Sequence, residues 1–355
     1  TGSEAKMMIK VTAPGRAGII GNPTDGYGGS LISCSIKNRA EVTIQSDKGL
    51  ILESENRRKE LIWRNDYENK QDEFDIIRCV LRFLRLYNLK ARITFKSNIP
   101  VQAGLAGSTA LLSCVLSAVL AYTGIKINKY ELAEMNRTIE LNYLKCQCGY
   151  QDAYMTTFGG LCYLDFRGKE YYKDYLEEIY AVVENISSYV KDLPFVIVHT
   201  GIKHNSGDFH KPLRERWLDG DEAVIKGYKE IACIAREGKK ALIKQNWEEL
   251  AYLMNQNHKI QSSLAFSGEQ NEYMIKIAKE NGALAAKLAG AGGGGTIIAL
   301  TLEPERTKKA LIKAGAEKLL ELDPKAKGAK APAWLPSEYS RRENSSNPHY
   351  SRASG

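Results

Sequence analysis

Residues 100–122 constrain this chain more than any other stretch. The small-residue run Pro-Val-Gln-Ala-Gly-Leu-Ala-Gly-Ser-Thr-Ala at 100–110 leads without a break into the apolar run at 111–122. A helix that opens there presents unpaired N–H groups and the positive end of its dipole, so several amides can hold an anion at once. Gly104 and Gly107 remove the Cβ atoms that would keep an anion at a distance. Leu105 and Ala106 lie between them. Ser108 and Thr109 offer hydroxyls, either to cap the helix or to face a cation riding on the anion. Residues 104–109 therefore read as a phosphate cradle, although the spacing is neither Gly-x4-Gly-Lys-Ser/Thr nor Gly-x-Gly-x-x-Gly. Taken alone, such a turn is also ordinary punctuation between a strand and a helix.

Two more glycine-rich segments flank it at a distance: Ala-Pro-Gly-Arg-Ala-Gly-Ile-Ile-Gly-Asn-Pro-Thr-Asp-Gly-Tyr-Gly-Gly at 13–29, and Lys-Leu-Ala-Gly-Ala-Gly-Gly-Gly-Gly-Thr at 287–296. In order and approximate spacing the three resemble the signature motifs of the GHMP kinases, the family of galactokinase, homoserine kinase, mevalonate kinase and phosphomevalonate kinase. The resemblance implies a two-lobed α+β fold, with an S5-like N-terminal domain over 6–190 and a ferredoxin-like C-terminal domain over 191–323. It also implies ATP and Mg²⁺.

Phosphoryl transfer asks for a phosphate cradle, a divalent metal, a group that orients or deprotonates the acceptor hydroxyl, and positive charge on the transferring group. By position in the motifs, Asp152 resembles the catalytic aspartate and Arg16 the arginine that lies beside it. Glu140, twelve residues before Asp152, resembles the metal-binding glutamate and would share the metal with Ser108. Asn22 and Asp25 stand where sugar-binding members carry Gly-Glu-His-Thr-Asp, and with Gln151, Gly292 and Arg214 they are the expected substrate contacts. Asn22 and Pro23 depart from the galactokinase pattern.

Those departures resemble the glucuronokinase branch of the family. Its marks here are Gly-Asn-Pro-Thr-Asp at 21–25, Gly-Tyr-Gln-Asp at 149–152 before Gly-Gly-Leu, and Arg-Trp-Leu-Asp-Gly-Asp at 216–221. The resemblance runs from about Val11 to about Leu302. It implies transfer to the anomeric hydroxyl of a hexuronic acid, D-glucuronate foremost. Other GHMP small-molecule kinases, acting on galacturonate or a heptose phosphate, are the alternative, followed by a non-catalytic sugar or ATP sensor. A uronate carboxylate calls for a guanidinium or a Lys/His cluster. Lys203, His204, His210, Lys211, Arg214 and Arg216 are all available, and such a run is equally the pattern of a solvated loop.

Composition narrows the classes further. At 355 residues, with 43% hydrophobic and 26% charged residues, the chain has room for two lobes around a cleft. No apolar run reaches a membrane span and the N-terminus lacks a leader pattern, so the expectation is a cytoplasmic protein without membrane contact. Seven scattered cysteines suggest free thiols rather than a disulfide framework. The net charge of +8 does not cluster on one motif, and six Lys/Arg against two Glu fall in 325–355. Nucleic acid is therefore not an expected partner. Residues 324–355, rich in Ser, Asn, Pro and Arg, read as a disordered tail or an appended remnant. Oligomeric state, monomer or homodimer, is left open.

Periodicity predicts strands at 40–45 and 91–96, a helix capped by Asp72, and a helix capped by Asn128. It also predicts a turn into a strand at 159–166, a strand at 195–198, helices at 221–245, 247–258 and 269–281, and a strand at 296–301. His199 and His258 are expected to pack or cap rather than bind.

Overall fold

The computed structural model describes residues 8–170, 180–202, 206–291 and 295–330, with 206–211 described as backbone. The first sheet is organised by a long hairpin, β1 (Met8–Ile20) against β2 (Ser30–Ser46). The other edge of β2 is shared: its second half pairs with β5 (Ala91–Ser97) and its first half with β6 (Leu161–Asp165). With β3 (Leu50–Glu53), β4 (Arg58–Leu61) and β7 (Val182–Asn185) the order is β4-β3-β5-β2-β6-β7, and β1 lies beside β2.

Four helices cover this sheet: α1 (Asp75–Phe83), α2 (Gly107–Tyr122), α3 (Lys129–Asn142) and α4 (Gln151–Phe158). The uniform apolarity of α2 has the expected result, since a helix apolar on all sides can only be buried. Thirteen of its 16 residues are buried, which makes it the helix around which the others pack. Asn128 caps α3 in a reciprocal arrangement with Glu131. Asp72 does not cap α1. It accepts from the Phe74 amide and pairs with the buried Arg78, whose guanidinium also takes Asp75.

The second sheet contains β8 (Phe195–His199), β9 (Ala283–Leu288), β10 (Thr296–Thr301) and β11 (Lys318–Leu320), all antiparallel in the order β11-β8-β10-β9. Numbered within the lobe this is 4-1-3-2, the ferredoxin-like βαββαβ arrangement. The first crossover carries α5 (Ser206–Leu218), α6 (Glu222–Ile243), α7 (Trp247–Leu264) and α8 (Glu269–Glu280), and the second carries α9 (Pro304–Lys313). The α+β, two-lobed expectation stands. The chain changes sheet between Asn185 and Phe195, yet one apolar cluster includes Ile20 and Leu112 from the first lobe with Leu250 and Ile298 from the second. No helix among the described residues is long and apolar enough to cross a membrane.

A structureless tail beginning at 324 is corrected for its first seven residues. The chain turns back onto the N-terminal lobe, where the Gly328 and Ala329 amides donate to the Phe158 and Thr156 carbonyls and Arg39 donates to the Lys327 carbonyl. Ala329 is buried. Composition alone misses this because the anchoring groups are backbone atoms and one small side chain. Residues 331–355 lie outside the described residues. Truncation after Asp323 is predicted to lower the thermal midpoint by roughly 2–5 °C in scanning calorimetry, and an unchanged midpoint would mean that 324–330 add nothing to the fold.

Candidate active site

Residue 16 is where the three glycine segments meet. β1 runs straight through the first of them, with register irregularities between Pro14 and Arg16 and between Gly18 and Ile20. Gly15 lets the strand come so near the second segment that a Cβ there would lie 2.7 Å from the Leu105 carbonyl, the same oxygen that accepts from the Arg16 amide at 3.1 Å. The Arg16 side chain, only 6% exposed, donates to the Gly104 carbonyl at 2.7 Å and to the Ala289 carbonyl at 3.3 Å. Its Nε and Nη2 both reach Asp152 Oδ1 at 2.7 Å. Among the described residues nothing donates to Asp152 Oδ2, and the Asp152 side chain keeps 30% of its surface exposed. The expected Asp152–Arg16 pair is thus in contact, with one carboxylate oxygen anchored and the other open.

The helix α2 begins beside this pair. Ala106 precedes it in the left-handed region (φ 61°) and Gly104 is left-handed too (φ 73°), so the loop 104–106 is sharply folded. No side chain caps the helix. Of the two roles open to the Ser108 and Thr109 hydroxyls, capping is therefore not taken, and no side chain caps the opening amides. Leu105 is buried under the loop and Ser108 is exposed. Gly107 comes close to Ile99, and Gly290 comes close to the Gly104 carbonyl, which a Cβ on Gly290 would approach to 3.0 Å.

Glu140 lies against this helix start, but its partner is not Ser108. The Thr109 hydroxyl donates to Glu140 Oε1 at 2.9 Å and to Oε2 at 3.2 Å. Successive helical residues point about 100° apart, and α3 lies on the Thr109 side. Burial, and after it the nearby charge of Asp152, push the Glu140 carboxyl up to about 7. A buried carboxyl held up beside a second acidic side chain is a place where a cation favours the ionised form. Among the described residues no cluster of three or more His, Cys, Asp or Glu could hold a metal. Mg²⁺ takes one or two protein ligands and completes its shell with water and phosphate oxygens. Glu140, with the Thr109 or Ser108 hydroxyl, is the set that would hold it.

A buried polar network keeps the three helices in register. Asn136 of α3 donates to Ser113 of α2 at 2.5 Å, Ser113 shares a hydrogen bond with Thr156 of α4 at 2.8 Å, and Thr156 donates to the Asp152 carbonyl. Asp25 fixes the start of α4: its Oδ2 accepts from the Tyr150 amide at 2.7 Å and the Gln151 amide at 2.8 Å. A carboxylate at that position stabilises a helix by about 1–2 kcal/mol. Gly149 makes room for it, since a Cβ there would overlap the Asp25 carboxylate.

Two of the expected substrate contacts, Asn22 and Gln151, have side chains bonded to protein partners. Asn22 is fully buried, donates to the Gly290 and Leu288 carbonyls and accepts from Lys287, so its side chain is a strut between the first and third segments. Gln151 is buried and donates to Ser33 on β2. Asp25 is the helix cap just described. Arg214 lies on α5 in the field of Tyr27, whose phenol is pushed well up by burial and by Asp25. Tyr27 packs against Tyr228 and Trp217 at 4.4 and 5.4 Å between ring centroids. A small pocket opens nearby, lined by Leu213, Tyr228, Gln261, Phe266, Leu288 and Ala291. Gly292, Lys203 and His204 lie outside the described residues, and of His210 and Lys211 only the backbone is described. Thr109 as the partner of Glu140, and Lys287, are the site residues to which sequence reasoning gave no such role. His199 and His258 are buried, as expected, with His199 Nδ1 3.0 Å from the Gly295 carbonyl.

Known proteins resemble the chain along most of its length. The model of the GHMP kinases N terminal domain matches residues 75–160, and that of the GHMP kinases C terminal matches 239–319. The chain is 28% identical to "Probable glucuronokinase 2" of Arabidopsis thaliana over 304 residues, covering 78% of this chain and 81% of that protein. It is equally identical to "Glucuronokinase 1" of the same plant over 315 residues, covering 82% and 84%. The crystal structure of Lactococcus lactis galactokinase complexed with galactose superposes with a TM-score of 0.76 at 19% identity, covering 91% of this chain and 95% of that one. Both family domains, in order on a matching two-lobed fold, mean that the chain belongs to the GHMP kinases, phosphotransferases with an alcohol acceptor.

Proposed function

We propose that this protein transfers the γ-phosphoryl group of ATP to the anomeric hydroxyl of a hexuronic acid, D-glucuronate foremost, giving the sugar 1-phosphate and ADP. The observation that carries the reading is the buried Arg16 guanidinium, which holds Asp152 at the uncapped start of α2 while bonding the second and third glycine segments. Charge complementarity does the rest: the amides of residues 104–109 and Arg16 supply positive field for a polyphosphate, and Glu140 with Thr109 or Ser108 supplies the seat for Mg²⁺. Bound there, Mg²⁺ neutralises phosphate charge.

The chemistry assigned to the protein is positional. Asp152 Oδ2, free of other donors, accepts the hydrogen of the acceptor hydroxyl and takes its proton as the new oxygen–phosphorus bond forms and the bond to the ADP oxygen breaks. Arg16 holds Oδ1 so that the carboxylate cannot swing away, and stabilises charge on the transferring group.

The uronate assignment is supported by the similarity to the two Arabidopsis glucuronokinases and by the position of Arg214. Tyr27 lies in the fields of both Arg214 and Asp25, and Asp25 caps the helix that carries Asp152. A forked cation there suits a sugar acid.

Asp152→Asn is predicted to lower kcat by about 10²–10⁴-fold and to leave the affinity for magnesium ATP nearly unchanged, as read by steady-state kinetics and calorimetry. Unchanged turnover would remove Asp152 from its role. Glu140→Gln is expected to raise the magnesium concentration needed for half-maximal rate by roughly 10-fold or more, and a coincident magnesium curve would move the metal elsewhere. For the acceptor, ADP release is measured over glucuronate, galacturonate, galactose, heptose 7-phosphate and mevalonate. Turnover is expected on the uronates, with Arg214→Ala raising their KM by roughly 10–100-fold. Turnover confined to acceptors without a carboxylate would contradict the uronate assignment.

A further inference from the structure

Lys287 is a fully buried amine that the transfer chemistry above does not use. It stands at the end of β9, where the third glycine segment begins. Its Nζ donates to Asn22 Oδ1 at 2.7 Å and to the Leu288 carbonyl at 2.6 Å. Both acceptors are neutral, and among the described residues no carboxylate pairs with it. Two acceptors match the two N–H bonds of an uncharged amine, whereas an ammonium has three to satisfy. A buried charge without a counterion is costly. The charged and titratable groups facing it point the same way: Arg16 from β1, and His258 from α7, itself 3.0 Å from Glu272 of α8. Burial, and after it the Arg16 guanidinium, bring the Lys287 amine down to about 7.

The same amine holds the loop that touches the reacting pair. Asn22, oriented by Lys287, donates to the Gly290 carbonyl at 2.5 Å, and the intervening Ala289 carbonyl takes Arg16 and the Gly18 amide. Gly290 in turn lies against Gly104 of the phosphate cradle.

We propose that Lys287 is a positioning residue of the transfer site, and that it takes up a proton when the polyphosphate of the nucleotide arrives beside Arg16, strengthening the hold of Asn22 on Leu288 and Gly290 beside the cradle. The inference rests on the nucleotide reading above. Burial is the larger cause of the amine's neutrality, and incoming negative charge offsets the Arg16 field that adds to it. The proton comes from solvent to the Nζ lone pair, no other covalent bond changes, and the charged donor then binds Asn22 more strongly.

The test is calorimetric titration of the full chain with magnesium β,γ-imido-ATP near pH 8, in two buffers of different ionisation enthalpy, for wild type, Lys287→Met and Lys287→Arg. With the amine at about 7, roughly nine in ten copies are uncharged at that pH. Wild type is therefore expected to take up on the order of one proton more than either variant. Protons exchanged at Glu140 are common to all three proteins and cancel. Lys287→Met is also expected to lower kcat by about 10-fold, with the arginine variant recovering part of the loss. Equal proton counts in the three proteins overturn the proposal. Absence of nucleotide heat in every buffer instead refutes the nucleotide reading. Wild-type protein labelled at the lysine Cε gives a readout that needs no variant: one resonance at the neutral position near pH 8 should move to the charged position on adding the nucleotide, and its absence overturns the proposal equally.

Discussion

One buried guanidinium, that of Arg16, is the constraint on which the rest of the site depends. Its donors go to a carboxylate on α4 and to carbonyls of the second and third glycine segments, so three stretches remote in sequence share a single cation. Burying that charge is tolerable only because it is paired and hydrogen-bonded throughout. Removing it would leave the Asp152 carboxylate and the Gly104 carbonyl without these donors and take one of two from the Ala289 carbonyl. The architecture and the positive field of the site are in this sense the same object.

Around that cation the charges are arranged in opposition. The start of α2 and Arg16 are positive, while Glu140 and Asp152 are acidic; burial, and after it the charge of Asp152, raise the Glu140 carboxyl to about 7. Each acidic side chain stands on a helix whose position is fixed elsewhere: α4 by the Asp25 cap, and α2, α3 and α4 together by the Asn136–Ser113–Thr156 chain of hydrogen bonds. Because those supports are buried, the carboxylates cannot relax away from one another. A magnesium nucleotide relieves both imbalances at once, which is the physical content of the functional reading. It also explains why polar residues lie so deep in an otherwise apolar lobe, where an unpaired hydroxyl or amide would be costly.

Much of this was legible in the sequence, and the parts that were not share a cause. Strands and helices with clear periodicity, such as β5, β8, α3 and α7, stand about where alternation and caps indicate, and the uninterrupted apolar run of α2 announced a buried helix. The pair of Arg16 and Asp152 followed from motif position and is in contact. What the sequence did not show is which partners a side chain meets across a long sequence separation. Asn22 and Gln151 read as substrate contacts, and the partners that the fold gives their side chains, Gly290 and Lys287 for the one and Ser33 for the other, were not legible. Ser108 read as the neighbour of Glu140, yet the helical turn gives that place to Thr109. The helix α5 and the return of 324–330 to the first lobe carry little apolar periodicity, and their packing rests on neighbours that one sequence does not name. Lys287 was visible as a letter at the head of the third glycine segment, but nothing in the local pattern says that it is buried or that it lacks a carboxylate.

The most direct measurement is a crystal structure of the wild-type chain with magnesium β,γ-imido-ATP and glucuronate both bound. The account predicts the terminal phosphate against the first turn of α2, flanked by Arg16, with the anomeric oxygen of the sugar about 2.6–3.2 Å from Asp152 Oδ2 and its carboxylate toward Arg214. A nucleotide lodged away from residues 104–109, or a sugar whose anomeric oxygen faces away from Asp152, would contradict it.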